Sequence, residues 1–543
     1  MSTRLRVAGG RVYDPANRID GEIRDVCIEG GRIVAGLPPD APTLDATGLV
    51  VMPGAVDVHT HLVGPEANMA RRLSPERRRA PALAPGAAGA ARLRSGTIGT
   101  APSTFATGQL YSRLGYTTVL DAAVPMLGAR QAHLEFGDTP LLDKGFYLVL
   151  GNDEFLLRPI AEGDEPRTLQ TLAWALSAAR AYGVKVVNPG GIAAWKAGRP
   201  LLDLDELVPG RDLTPRRILL AFAAACDALK LPHPMHLHCN NLGTPGNAAT
   251  TLATMRALEG RRAHLAHLQF HCYGGERGGR LRSRAPEVIE ALNANPRLSA
   301  DVGQVLFGPT MTMTADGRVA ERLAELTGNR WTRVDFELEG SCGIVPYEYR
   351  ERNAVHAAQW VTGLELMLLA ADPWRLVLST DHPNGATFLS YPRLIRLLMD
   401  RGFREEQMAR LPARALEGTA LGAGLPREYG LSEIAIITRA GPARLLGLTD
   451  KGHLGPGADA DLALYAPDRD YEAMFQAPRH VFKGGVAVVR DGRVQGEVFG
   501  RTLSVSREHD PGVERWIERL LAEEGSLRVE DYVIGEDELV PAS

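Results

Sequence analysis

The chain has 543 residues, of which 45% are apolar and 23% charged, so it can bury a large core as an ordinary globular protein does. A net charge of -4 and a pI near 6.4 supply no overall attraction to nucleic acid or to an anionic membrane. Met1-Ser-Thr-Arg-Leu-Arg leads into strand-like sequence without an apolar signal core, and no long uncharged apolar run follows, which together predict a cytoplasmic protein. Five scattered cysteines without a CxxC pair exclude a cysteine-rich metal cluster and a dithiol redox centre. Lysine is scarce, at positions 144, 185, 196, 230, 451 and 483, so a lysine inside a strand calls for a reason.

Residues 1–52 read as short strands and tight turns, in LRVAGGRVYDP and DVCIEGGRIVAGL, with Gly-Gly pairs at the hairpins. The same texture returns in ADADLALYAP and HVFKGGVAVVRDGRVQGEV, within 441–505. The expectation is one small β-sandwich formed by the N- and C-terminal segments, with residues 53–440 inserted between them and a partly helical tail, 506–543, packing on the chain or on a partner.

After the apolar run Leu49–Val56 comes Asp57-Val-His59-Thr-His61. Two histidines two residues apart on a strand share a face and can approach one metal ion from the same side. Asp57 shares that face too, and is expected to hold one imidazole from behind. The stretch from about 65 to 115, containing Arg77, Arg78, Arg79 and PALAPGAAGAA, reads as a long insertion placed to form an active-site lid.

The centre of the chain then alternates apolar strands with helical stretches: TTVLDAAV, FYLVLG, GVKVVNPGG, PMHLHCNN, AHLAHLQFH, LSADVG and RLVLSTDHP. Strands buried on both faces and separated by helices make parallel βα units, so the fold class is α/β, a TIM-like (β/α)8 barrel with the small sandwich beside it. The polar residues fall near the C-terminal ends of these runs, where barrel enzymes build their sites.

Lys185 lies within GVKVVNPGG. Burial lowers a lysine's pKa, and the neutral amine can take up carbon dioxide as a carbamate that binds cations as a carboxylate would. His236 and His238 share a strand face in PMHLHCNN, and His264, His267 and His271 follow. His238 and His267 are preferred as ligands because each lies near the end of its strand. Asn240 and Asn241 open the next loop and, with His271, Arg77 and Arg79, are candidate substrate-binding residues. Asp381, ending LVLSTD, can hold a metal and exchange a proton with water.

The order HxH, Lys, His, His, Asp over separate strands resembles the two-metal members of the amidohydrolase superfamily, as do TRAGPARLLGL and KGHLGPGADADLALY near the end of the chain. A narrower resemblance rests on DVHTHLVGPE, GVKVVNPGG, HLHCNNLGTPGN, HLQFHCYGG, DVGQVLFGPT and STDHPNG, and covers both sandwich pieces and the barrel. These are similar to the formylmethanofuran dehydrogenase alpha-subunit family, which includes the corresponding subunit of the formyltransferase/hydrolase complex of methylotrophic bacteria.

That resemblance implies two zinc ions, or other divalent metals, held by His59, His61, a carboxylated Lys185, His238, His267 and Asp381, with Lys185, His267 and Asp381 catalytic. It implies cleavage or formation of the formamide of a methanofuran-like coenzyme carrying a polyglutamate tail, beside a formyltransferase subunit within a larger C1-transfer complex of several subunits. Some of Arg71, Arg72, Arg77, Arg78, Arg79 and the arginines of GGERGGRLRSR are expected to receive the acidic tail of the coenzyme or an acidic partner. The competing readings are a cyclic-amide hydrolase of the dihydropyrimidinase or hydantoinase type and a non-catalytic structural subunit.

Overall fold

The computed structural model describes residues 4–539 apart from 75–102, 200, 276–279, 315–321, 324, 329–331, 337–339, 497 and 525–526. Eight parallel strands form its central sheet, in chain order β1 (Ala55–Thr60), β2 (Tyr116–Val124), β3 (Asp143–Val149), β4 (Gly183–Val187), β5 (Met235–His238), β6 (Ala263–Leu265), β7 (Leu298–Asp301) and β8 (Leu376–Val377). Each pairs with the next in sequence, and the curled sheet meets itself where Thr60 bridges His382 and the His61 amide donates to the His382 carbonyl at 2.9 Å. This is the expected TIM-like α/β architecture.

The strands are short, rich in Val, Leu and Ala, and buried along nearly their whole length, as a sheet covered by helices requires. Several helices outside it are amphipathic and capped by a side chain at the N-terminus. Pro215–Ala228 starts with Thr214, whose hydroxyl accepts from the Arg217 amide, and buries Ile218, Leu219 and Phe222 against the barrel. No helix of the described residues is long and apolar enough to cross a membrane.

The termini meet, as expected, in a second unit, whose nine strands are joined by continuous hydrogen bonding. Its centre is Arg4–Asp14, which pairs on one side with Ile19–Glu29 and on the other first with Thr43–Asp45 and then with Val50–Pro53. The change of partner falls at Gly9-Gly10. Gly9 has φ +69, and a Cβ on Gly10 would lie 2.4 Å from a methyl of Val51, so this pair lets the strand bend over its own core. Leu462–Tyr465 adds the C-terminal half by pairing with Val50–Pro53, and Val7, Val12, Ile28, Val51, Leu462 and Phe482 share one apolar cluster.

A buried ion cluster joins this sheet to the barrel. Lys483 Nζ lies 2.7 Å from both Asp143 of β3 and Asp461, and Lys451 Nζ lies 2.5, 2.6 and 2.8 Å from Asp143, Asp459 and Asp461. Asp143, Asp459 and Asp461 are close enough together to hold a cation, but the two ammonium groups and the Arg501 guanidinium beside Asp459 already neutralise them. Beyond it, residues 498–505 run along β3, the Lys144 amide donating to the Arg501 carbonyl and the Leu503 amide to the Lys144 carbonyl, and helix Pro511–Glu524 packs into the main core through Val513, Ile517, Leu520 and Leu521.

A three-stranded antiparallel arm, made of Gly308–Thr314, Thr332–Phe336 and Gly340–Tyr349, is inserted between β7 and β8. It covers the C-terminal end of the barrel, together with helix Gly64–Leu73. The sequence places a lid in residues 65–115. Of that segment, helices Gly64–Leu73 and Thr104–Ser112 are described, and Arg77, Arg78 and Arg79 lie outside the described residues.

The ion cluster yields a prediction. Burial opposes the charges of Asp143 and Asp461, yet the facing lysines hold both carboxyls below their ordinary range, while the same carboxylates raise Lys451. The stabilisation is therefore complete above the carboxyls' ordinary range near pH 4 and lost as pH falls through their lower folded values; the share from Lys451 is lost only above its ordinary value near 10.5. Asp461→Asn should cost about 3–5 kcal/mol at pH 7, read by thermal or denaturant unfolding, and the gap from the unsubstituted protein should narrow below pH 4. A gap independent of pH contradicts the ionic assignment.

Candidate metal centre

The polar residues marked in the sequence collect at the C-terminal rim of the barrel. His59 ends β1 with His61 just beyond, Lys185 is inside β4, His238 ends β5, His267 and His271 follow β6, and Asp381 follows β8. Ligand atoms of His59, His61 and Asp381 lie within 4.8 Å of one another, as do those of His238, His267 and His271. Lys185 acts electrostatically on both groups, on His59 and Asp381 on one side and on His238, His267 and His271 on the other.

Backbone geometry fixes this convergence. His267 and Asp381 have φ +35 and +48, in the left-handed region that non-glycine residues enter only where their surroundings hold them. Gly303 lies against His267 so closely that a Cβ there would be 2.3 Å from the His267 Cβ. Asn384 donates to Asp381 Oδ2 at 3.0 Å and accepts from the Met313 amide at 2.6 Å, tying the carboxylate to the arm above it.

The carboxylate behind the HxH pair is Asp301 of β7, which corrects the expectation for Asp57. Asp57 receives the Tyr111 and Tyr391 hydroxyls and the His59 backbone amide, and burial pushes its pKa up to about 6. Asp301 Oδ2 lies 3.0 Å from His59 Nδ1 and 3.2 Å from His264 Nε2, while Oδ1 accepts from the His267 amide at 3.0 Å and from the Ser379 hydroxyl.

A row of histidines settles the His59 tautomer. The Leu445 carbonyl, 2.9 Å from His233 Nδ1, can only accept, so His233 carries its proton there. His233 Nε2 then accepts from His236 Nδ1 at 3.1 Å, and His236 Nε2 accepts from His59 Nδ1 at 2.9 Å. His59 Nδ1 is thus protonated, and Nε2 faces Asp381 Oδ1, 3.0 Å away but not aligned as a hydrogen bond.

Burial pushes His238 and His267 well below the ordinary imidazole range, His238 further through the crowding of neighbouring imidazoles and Lys185, and His267 against the opposing pull of Asp381. His271 falls to about 3, chiefly by burial. These rings are therefore neutral. His238 Nε2, His267 Nδ1 and both His271 nitrogens are buried without a hydrogen-bond partner among the described residues. Lone pairs this expensive to bury, grouped within ligating distance and accompanied by carboxylate oxygen, fit divalent transition metals. Lys185 is lowered to about 8, mainly by burial, which brings the neutral amine within reach at physiological pH.

A cavity of about 230 Å³ opens above the centre, with His61, Lys185, His238, His267 and Asp381 in its wall. Opposite them the wall is largely apolar: Leu242, Phe270, Leu281, Met313, Tyr347 and Tyr349. Asn240 and Asn241 do not line it. Asn240 donates to Asn188 and to the Pro189 carbonyl, and Asn241 bridges Asp203, Thr250 and the Leu202 amide, so both side chains brace loops instead of facing a substrate there. His271 is buried with the metal-competent rings, not in the cavity wall. Arg77 and Arg79, the other expected substrate contacts, lie outside the described residues. Asp301 and the arm were not singled out from sequence, although Asp301 ends its strand as the other site residues do and GPTMTMT alternates polar and apolar residues.

The amidohydrolase family model matches residues 43–495. The protein FwdA of Methanocaldococcus jannaschii is 42% identical over 517 residues, covering 92% of this chain and 90% of that protein. The A subunit of the formyltransferase/hydrolase complex Fhc of Methylorubrum extorquens is 42% identical over 540 residues, covering 97% and 96%. A chain in the crystal structure of that organism's FhcABCD complex with methylofuran superposes with a TM-score of 0.91 at 41% identity, covering 98% of this chain and 97% of that one.

Asp301→Asn should weaken metal binding by about 10- to 100-fold, measured by competition with a chelator, because the amide no longer stabilises His59 with its proton on Nδ1. Unchanged affinity would show that Asp301 serves only the scaffold.

Proposed function

The chain belongs to the amidohydrolase family and, within it, to the formylmethanofuran dehydrogenase alpha-subunit group, and on that basis we propose that it hydrolyses, or reversibly forms, the formamide of a formylated methanofuran-type coenzyme. The products of hydrolysis are formate and the free aminomethylfuran. The observation that carries this reading is a superposition at TM-score 0.91 on a chain from a complex containing methylofuran, over a fold whose barrel rim gathers two metal-competent groups beside one cavity. In the same reading the chain works with a formyltransferase subunit in a C1-transfer assembly, on a coenzyme bearing a polyglutamate tail.

His59, His61 and Asp381 would hold one divalent cation and His238 and His267 a second, with a carboxylated Lys185 serving both. Zinc suits these donors, and iron, cobalt or manganese would satisfy the same set. Such a pair supplies Lewis-acid polarisation of the formyl oxygen and makes water acidic near neutral pH. Lys185 reaches the carbamate as the neutral amine, its N–C bond to carbon dioxide forming as one proton leaves.

Asp381 is the proton carrier. Its carboxylate is oriented by Asn384, and although burial opposes the charge, His267 and His59 hold its pKa well below the usual range, so it begins ionised. It takes the proton from water as the C–O bond forms and delivers it to nitrogen as the C–N bond breaks, which makes the amine a viable leaving group. The apolar wall opposite limits competing water.

The test is metal content measured together with hydrolysis of a formylated furfurylamine coenzyme, set against hydantoin and dihydrouracil. Two metals per chain and turnover of the formamide alone are expected. Turnover of the cyclic amides instead identifies a cyclic-amide hydrolase, and metal without turnover of any amide a structural subunit. Lys185→Ala should lose metal and activity together. Asp381→Asn should lower kcat at least about 100-fold with metal still present at the His238 and His267 site, and an active Asp381→Asn enzyme would refute its role.

A further inference from the structure

Tyr347, on the last strand of the arm, lines the cavity, and its hydroxyl lies 2.9 Å from His356 Nε2. The direction of that hydrogen bond follows from the other side of the ring. The Arg350 backbone amide donates to His356 Nδ1 at 2.9 Å, so Nδ1 carries a lone pair and the neutral imidazole bears its proton on Nε2. Burial and then Arg350 lower His356 to about 4, so the neutral form prevails near pH 7. Nε2–H therefore donates to Tyr347 Oη, leaving the phenolic proton with no acceptor among the described residues.

The ring around that hydroxyl is set firmly. Tyr347 and Tyr349 meet edge to face at 4.9 Å, His356 packs on both, and Tyr349 shares an apolar cluster with Phe270 and Val305. Both phenols stand in the cavity wall, and Tyr349 lies in the field of Asp381.

We propose that Tyr347, turned by His356 and the Arg350 amide, donates its hydroxyl proton to an oxygen of the bound substrate outside the formyl group, and so contributes to recognition of the substrate body. This rests on the functional reading above. Phe270 and Tyr349 supply a flat apolar surface suited to a planar ring, and Tyr347 adds the directional polar contact that fixes how the substrate lies. His356 is a positioning residue: it consumes the acceptor side of the phenol, so that a substrate can be met only by the donor side.

The experiment uses the metal-loaded protein and the formylated coenzyme, with binding of the deformylated coenzyme measured separately by calorimetry. Tyr347→Phe should raise KM and weaken product binding by about tenfold, with kcat and metal content nearly unchanged. His356→Leu should reproduce part of that loss, His356→Gln should recover it by offering an N–H in place of Nε2–H, and Tyr347→Phe/His356→Leu should be no worse than Tyr347→Phe. A protein that hydrolyses the formamide while Tyr347→Phe leaves KM and product binding unchanged overturns this inference alone. So does a fall in kcat without change in KM, which puts the hydroxyl at the reacting carbon. A metal-loaded protein that neither binds the coenzyme nor hydrolyses its formamide refutes the functional reading and this inference with it.

Discussion

Four strands of the barrel meet at one buried carboxylate. Asp301 on β7 receives the His59 imidazole from β1, the His264 imidazole from β6 and the His267 amide from just after it, and the Ser379 hydroxyl from just after β8. A charge so deeply buried is tolerated only when its oxygens are satisfied from several sides. Here burial alone would raise its pKa, but His59 and His264 hold it well below the carboxylate range. Satisfying it draws together strands that are far apart in sequence, and the rim geometry follows.

The two metal-competent groups differ in their electrostatics. The group of His59, His61 and Asp381 contains a charged oxygen and is backed by Asp301, whereas that of His238, His267 and His271 is purely imidazole and kept neutral by burial. Lys185 stands in the field of both. A carboxylated lysine would therefore bring negative charge to the side that has none of its own, which gives the modification an electrostatic reason at this position.

Much of this was legible in the sequence because barrel strands buried on both faces read as continuous apolar runs, with polar groups placed where each run stops. The histidines, Lys185 and Asp381 could be picked out on that rule. What was not legible depends on contacts across hundreds of residues. Asp57 draws attention because it adjoins the HxH pair, yet Tyr111 and Tyr391, 54 and 334 residues away, claim its carboxylate. Asp301 looks like any strand-end acid until Ser379 and three histidines are folded onto it. Asn240 and Asn241 resemble a binding loop, but their amides are used up by Asn188 and Asp203. The arm over the cavity comes from a stretch whose strands pair only with one another, so no barrel periodicity announces it. The scarcity of lysine was informative in a second way, since Lys451 and Lys483 are buried together where the two sheets join.

The closure of the barrel has a mechanical consequence. Between its first and last strands the ring is fastened by the Thr60–His382 bridge and the hydrogen bond from His61 to His382, both beside His59, His61 and Asp381. A cation gripped by those three side chains would act as a rivet through the seam, joining strand one to strand eight where backbone pairing is thinnest. Occupancy of the centre and integrity of the ring are then one equilibrium: a ligand that favours the closed ring stabilises the whole barrel by mass action, and a substitution that loosens the seam weakens metal retention without touching a ligand.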